Sequence, residues 1–331
     1  MYTDDDLEQA VEKGIFSRPS VAQFRDFIAE RDNTHAADEE DFRLITSFND
    51  IFVVIACLLL LLSAGWVIQG TSAALSAAVV AALSWGLAEF FVRKRKMALP
   101  AIVLLVTFVA NVFTAIVLLF GFPDEKAFML AGLGATIAAW LHWTRFHVPI
   151  TVAAGAAAAV AFVLAGLIYM LPALRDHLNS LMFVGGIAIF LLAMVWDAKD
   201  PKRISGRSDV AFWLHLTAAP LIVHPIFSNL GIFEGNQTPL DLGIVLLLYL
   251  VLTVISLVID RRAFMVSSLI YVLAALTQLL DTYGLAGDSF AYVGVVIGMS
   301  LLLLSGFWHR ARRVLVQALP DGWQRRLPEV A

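Results

Sequence analysis

The sequence predicts an all-α fold: a polytopic bundle of about ten transmembrane helices with both termini cytoplasmic, preceded by a small amphipathic helical segment. Three observations predict it. Hydrophobic residues make up 60% of the chain and charged residues 15%, with a mean hydropathy of +0.81, whereas soluble domains are closer to half apolar and a quarter charged. The apolar residues are gathered into uncharged blocks, and a block of about 18 or more crosses the hydrocarbon core as a helix. The Lys and Arg residues between the blocks are concentrated in every second loop.

The expected spans are 51–68, 72–91, 98–120, 127–143, 148–170, 180–196, 209–230, 241–259, 262–280 and 289–308. The fourth has a short uncharged core, and only Asp260, Arg261 and Arg262 separate the eighth from the ninth. Short cytoplasmic loops retain Lys and Arg. With the amino terminus inside, 21 of the 23 basic residues fall inside, and only Lys126 and Arg175 fall outside. Adding or removing a span would scramble this alternation downstream, so ten spans is the self-consistent count. A multi-pass protein of the bacterial inner (cytoplasmic) membrane is the expected setting, with the lipid bilayer as its first partner.

Residues 1–47 form an acidic helical segment and linker, residues 48–308 the membrane domain, and residues 309–331 a basic tail. Asp4, Asp5 and Asp6 suit a helix start and Gly14 a helix stop. Ser17 or Ser20 then caps a second helix with Val21, Phe24, Phe27 and Ile28 on one face. Residues 1–50 hold 13 acids against 5 bases, which argues against nucleic-acid binding because that needs a basic footprint. A cytosolic protein partner docking on this segment is the better expectation. No cleavable signal peptide is expected, so the first span serves as its own insertion signal. At the other end, Trp308 with Arg310, Arg312 and Arg313 suits either a helix lying at the headgroups or a positive tail that only fixes topology.

Ionisable and amide groups inside spans are expensive and invite a functional reading. Glu89 lies four residues before Arg93, a spacing that favours a helix ion pair. Asn111, mid-span, suits helix-to-helix bonding. Asp197, Asp209 and Asp260 stand at span ends facing the cytoplasm, within reach of water and nearby Arg or Lys, and Asp197 and Asp260 read as interfacial anchors. The seventh span carries more: Asp209, Trp213, His215, Thr217, Pro220, His224 and Pro225. At about 100° per residue, His215 and His224 point to opposite faces, so they do not grip one metal or haem. No cofactor or metal is expected. His224 shares a side with Trp213, Thr217 and Pro220, and Asp209 lies within about 60° of it. The prolines free the carbonyls of Leu216 and Leu221, and such carbonyls at membrane depth need protein or water. The expectation is therefore a buried polar seam along Asp209, Trp213, Thr217 and His224, with His215 as a second imidazole.

Other motifs carry no chemistry. The lone Cys57 forms no internal disulfide, Gly132-Leu133-Gly134 lacks the context of a dinucleotide site, and Asn236-Gln237-Thr238 is a weak glycosylation pattern. The small residues of AAGAAAAVAFVLAG, at 153–166, favour close helix packing. An intramembrane enzyme is not expected, since no nucleophile elbow or zinc-ligand pair is present. DDLEQAVEKGIFSRPSVAQFRDFI, FRLITSFNDIFVVIA, LAEFFVRKRKMALP, SDVAFWLHLTAAPLIVHPIF and WHRARRVLVQALP together resemble a family of uncharacterised bacterial multi-span membrane proteins. That resemblance covers much of the chain and implies location and fold, with no activity attached.

Two functions remain: a transporter-like protein for a small solute or protons, whose histidines carry protons, and a scaffold or signalling protein docking partners through its acidic segment. Ten spans could form two inverted units of five, although the halves show no repeat. The predicted orientation is testable with single cysteines in a Cys57→Ser background. Lys126→Cys and Arg175→Cys should react with an impermeant maleimide on intact cells, and Lys94→Cys and Lys202→Cys only after the membrane is opened.

Overall fold

The computed structural model describes residues 7, 10–21, 23–24, 48–121, 124–200, 206–231, 238–282, 289–320, 322 and 327, among which there is no strand. Ten long helices follow in order: α1 (Phe48–Gln69), α2 (Ala73–Ala88), α3 (Ala98–Leu119), α4 (Glu125–Phe146), α5 (Ile150–Met170), α6 (Leu178–Asp197), α7 (Gly206–Ser228), α8 (Pro239–Ile259), α9 (Ala263–Thr282) and α10 (Ser289–Gln317). A π-helical turn, Glu89–Lys94, ends α2, and a 3-10 turn, Pro172–His177, precedes α6. Among the described residues nine helical stretches are long and apolar enough to cross a membrane. The remaining helix, α9, is 20 residues long, and its apolar stretch within the described residues, Ala263–Gln278, is shorter. The chain is thus an all-α polytopic membrane protein, with a helix at every expected span.

Local chemistry sets the helix ends. Ser72 Oγ accepts the Leu75 N–H to start α2, and Asp124 accepts the Ala127 N–H at 2.7 Å to start α4. Thr238 and Asp241 bond each other reciprocally at the start of α8, satisfying N–H groups that a helix leaves without partners. The fourth span proves longer than its uncharged core suggests, because Asp124 caps it a turn earlier and it runs on to Phe146. His147 and Asp260 then close α4 and α8 in the left-handed region, at φ 54° and 58°.

Most sequential helices pack as neighbours, most extensively α4 on α5, α6 on α7 and α2 on α3; α7 meets α5 and α9 more than it meets α8, and α10 rests on α8 and α9. The small residues of α5 act as the sequence suggests: a Cβ on Gly155 would stand 3.3 Å from the Ala139 Cβ of α4. Gly132 makes the tightest approach to backbone among the described glycines, where a Cβ would lie 2.6 Å from the Phe162 backbone nitrogen. The Gly-Leu-Gly motif is therefore a packing contact. Gly186 does the same for α6 against Leu221 and Ile222 of α7, at 2.8–3.0 Å.

The chain divides into two compact units, Met1–Asp41 with Ala331, and Phe42–Val330. Within the first, Gly14 turns the chain at φ 69° and Ser17 Oγ accepts the Ser20 N–H, so Gly14 is the helix stop and Ser17 the cap. Val21 is buried and Phe24 exposed; Phe27 and Ile28 lie outside the described residues.

The close crossing at Gly132 makes a direct prediction. Gly132→Ala should cost about 1–3 kcal/mol through overpacking against backbone that cannot move aside. Gly86→Ala, where a Cβ meets nothing within 4 Å, should leave the melting temperature in detergent unchanged or slightly raised.

Candidate functional site: a buried ion-pair cluster at the helix ends

The three-residue turn between α8 and α9 organises the site. Asp260 occupies the left-handed conformation that short polar side chains tolerate, and its N–H donates to the Ser256 carbonyl. Arg261 donates its N–H to the same carbonyl at 2.9 Å, while Ser256 Oγ accepts the Met265 N–H at 3.1 Å. One buried serine thus closes α8 and opens α9, and the geometry sends the side chains of Asp260 and Arg261 to different neighbours.

Arg261 reaches α6 and α7. Its Nη2 donates to Asp197 Oδ1 at 2.7 Å and to both the carbonyl and Oγ of Ser208 at 3.2 Å. The other carboxylate oxygen, Asp197 Oδ2, is 2.9 Å from His215 Nε2. Asp197, His215 and Arg261 are 2%, 0% and 1% exposed, so neither water nor lipid headgroups solvate them. Phe190 packs its edge on His215 and on Phe264, 5.5 Å from each, closing the apolar side. Asp209 is half-buried and interacts electrostatically with Arg261.

Asp260 reaches α10. Its Oδ1 accepts the Trp308 indole N–H at 2.8 Å and lies 3.6 Å from Arg312 Nε. The Arg262 guanidinium sits over the Trp308 ring at 5.0 Å. Trp308, Asp260 and Arg312 are all buried. One expectation needs correction here. Asp197 and Asp260 do find the expected arginines, but both carboxylates are buried, so they are not reached by water as expected. Trp308 and Arg312 lie on α10, which continues through them to Gln317, and both are turned onto Asp260.

The seven residues singled out in the sequence are not brought into one seam. α7 is the most enclosed span, with 56% of its apolar window buried against at most 39% elsewhere among the described spans, so the helix is interior as expected. The inward face, however, is that of Ala211, Leu214, His215, Ala218, Ala219 and Ile222. The expected inward stripe is instead half-buried at Trp213 and Thr217 and uncovered at Pro220 and His224. Alanines that permit close approach to α6 and its Gly186 set the rotation, and the polar stripe follows passively. His224 Nδ1 pairs with Tyr271 Oη of α9 at 2.8 Å, and Thr217 Oγ1 donates to its own helix at the Trp213 carbonyl. Asn111 also bonds its own helix, at the Thr107 carbonyl, so the inter-helix contact there belongs to Thr107 and Ser84 at 3.0 Å. Glu89 pairs with Arg93 at 3.3 Å as its spacing implies, and more closely with Arg145 of α4, at 2.6 and 3.0 Å.

Sequence reasoning also missed His142, one residue inside the expected end of the fourth span. It is fully buried, with Nδ1 3.1 Å from Thr151 Oγ1 and the rings of Phe146, Phe108 and Trp85 around it at 4.5, 6.0 and 6.0 Å. Its Nε2 has no hydrogen-bond partner among the described residues. The general cost of a histidine inside a span was the signal that could have flagged it. Among the described residues no group of three His, Cys, Asp or Glu side chains could hold a metal ion.

Removing one partner of a buried ion pair strands the other charge, at about 3–5 kcal/mol. Arg261→Met and Asp197→Asn should each lower stability on that scale, measured by unfolding in detergent. The double variant should lose much less than the sum of the two. Compared with family models, curated proteins and solved structures, the chain matches none, so its site is read from its own geometry.

Proposed function

We propose that this chain is a multi-pass protein of the bacterial cytoplasmic membrane, termini in the cytosol, that moves a small solute or protons, with His215–Asp197–Arg261 as its protonation site. The observation that carries this reading is a histidine within α7 bonded to a carboxylate at the end of α6 that an arginine of the α8–α9 turn already neutralises, all three buried. With His215 neutral, Asp197 and Arg261 balance each other. A proton on the imidazole makes two cations share one carboxylate, and away from water the added charge is felt strongly by α6, α7 and the α8–α9 turn. Imidazole is the side chain whose ordinary titration falls between pH 5 and 8, which suits a proton-linked step. Asp209 adds a half-buried carboxylate at the same end of α7.

The ion pairs also fit the proposed orientation. Glu89 with Arg145, and Arg261 with Asp197, join loops assigned to the cytosol, whereas Arg175 pairs with Glu125, both assigned to the opposite side. The likeness to bacterial multi-span proteins noted in the sequence supports the same setting. A second reading, a scaffold that docks a cytosolic partner, draws on the separate compact unit Met1–Asp41 and its acidic surplus.

The test is proton flux into vesicles holding the purified protein and a pH-sensitive dye. His215→Gln keeps a hydrogen-bonding side chain without a titrating ring, and its flux should fall to that of protein-free vesicles, while His224→Gln retains wild-type flux. Equal flux in His215→Gln and wild type, or no wild-type flux above protein-free vesicles, would contradict the carrier reading and leave the scaffold.

A further inference from the structure

A second charged cluster lies at the ends of α2 and α4, apart from the buried site. Glu89 grips Arg145 of α4 with both carboxylate oxygens and holds Arg93 of its own helix at 3.3 Å. The π-helical turn then carries Arg93 and Lys94, and Arg95 and Lys96 follow directly, all four exposed. Two cations thus hold the Glu89 carboxylate, and three more follow it in the chain, where the apolar span Ala73–Lys94 ends.

Two of these cations have a defined height. Lys94 Nζ lies 6.0 Å from the centroid of the Phe90 ring and Arg95 Cζ 5.7 Å from it, within cation–π range. Phe90 is itself 43% exposed and stacks edge-on against Phe91. An uncovered phenyl ring on a membrane span belongs in the acyl boundary, so cations held to it stand at the level of lipid phosphates. The widened turn is held shut by the N–H groups of Arg95, Lys96 and Met97, which donate to the carbonyls of Phe90, Val92 and Phe91. The backbone therefore presents the cations without needing them as caps. A basic run that served only to fix topology would need neither the ring beneath it nor a fifth cation clamped from a second helix.

We propose that Lys94 and Arg95 form a binding site for the phosphate of anionic phospholipid headgroups, with Phe90 against the acyl chains. Each basic residue near an anionic surface contributes about 1 kcal/mol, which is about fivefold in affinity. The experiment titrates the purified full-length protein in neutral detergent with dioctanoyl phosphatidylglycerol, dioctanoyl phosphatidylcholine and inorganic phosphate, following binding by calorimetry. Phosphatidylglycerol should bind best, more weakly as salt is raised. Lys94→Gln/Arg95→Gln should weaken it more than about tenfold on the same fivefold-per-charge scale, with an unchanged melting temperature in phosphatidylcholine. Should that double variant lose its melting transition, Lys94→Gln alone, expected to bind about fivefold more weakly, takes its place. Equal binding of the two lipids, binding of inorganic phosphate as tight as that of phosphatidylglycerol, or wild-type affinity in the variants overturns the proposal.

Discussion

The carboxylates of Asp197 and Asp260 have no solvent to turn to, and that constraint shapes the carboxy-terminal half of the molecule. A buried charge without a partner costs several kcal/mol, so each aspartate requires a cation from within the bundle. A single turn of three residues serves both: Arg261 neutralises Asp197 across α6 and α7, and Asp260 receives Trp308 and Arg312 from α10. The turn cannot relax without stranding charges on both sides, so five helices are tied at one end by it. His215 holds the other oxygen of Asp197, so α7 is joined to the same carboxylate.

The amino-terminal half is held differently. Its contacts are close crossings of small residues, Gly132 on Phe162 and Gly155 on Ala139, since lipid tails offer no hydrophobic drive for helices to associate. The ion pair at its end, Glu89 with Arg145, is partly exposed and contributes little to stability. Its polar interior includes the buried Asp50, the Ser76 bond to the Gly65 carbonyl, the Ser84–Thr107 bond and the ringed His142. The two halves therefore combine one mechanical principle, dense packing, with two electrostatic ones.

The spans were legible because hydrocarbon thickness fixes their length and loop charge fixes their alternation. The rotation of α7 was not. Periodicity identifies two faces of a helix without saying which turns inward. The polar face with His224 seemed the interior one, but the alanine face admits a neighbouring helix more closely and carried His215 inward with it. Glu89 with Arg93 was visible at a spacing of four, whereas Glu89 with Arg145 and Asp197 with Arg261 join residues far apart in sequence, and one chain alone gives no register between distant helices. Arg261 was counted as a topology charge; the shortness of its turn, which leaves it no length to reach water, was the available clue.

Arg261 and Asp197 are paired inside the membrane domain. Solid-state NMR on the full-length protein in lipid bilayers, with ¹⁵N-labelled arginine and ¹³C-labelled aspartate, measures this pairing directly. A through-space cross-peak between the Arg261 guanidinium and the Asp197 carboxyl carbon is expected, and it should disappear in Asp197→Asn with aspartate labelling. Absence of that cross-peak in the folded wild-type protein would contradict the pairing.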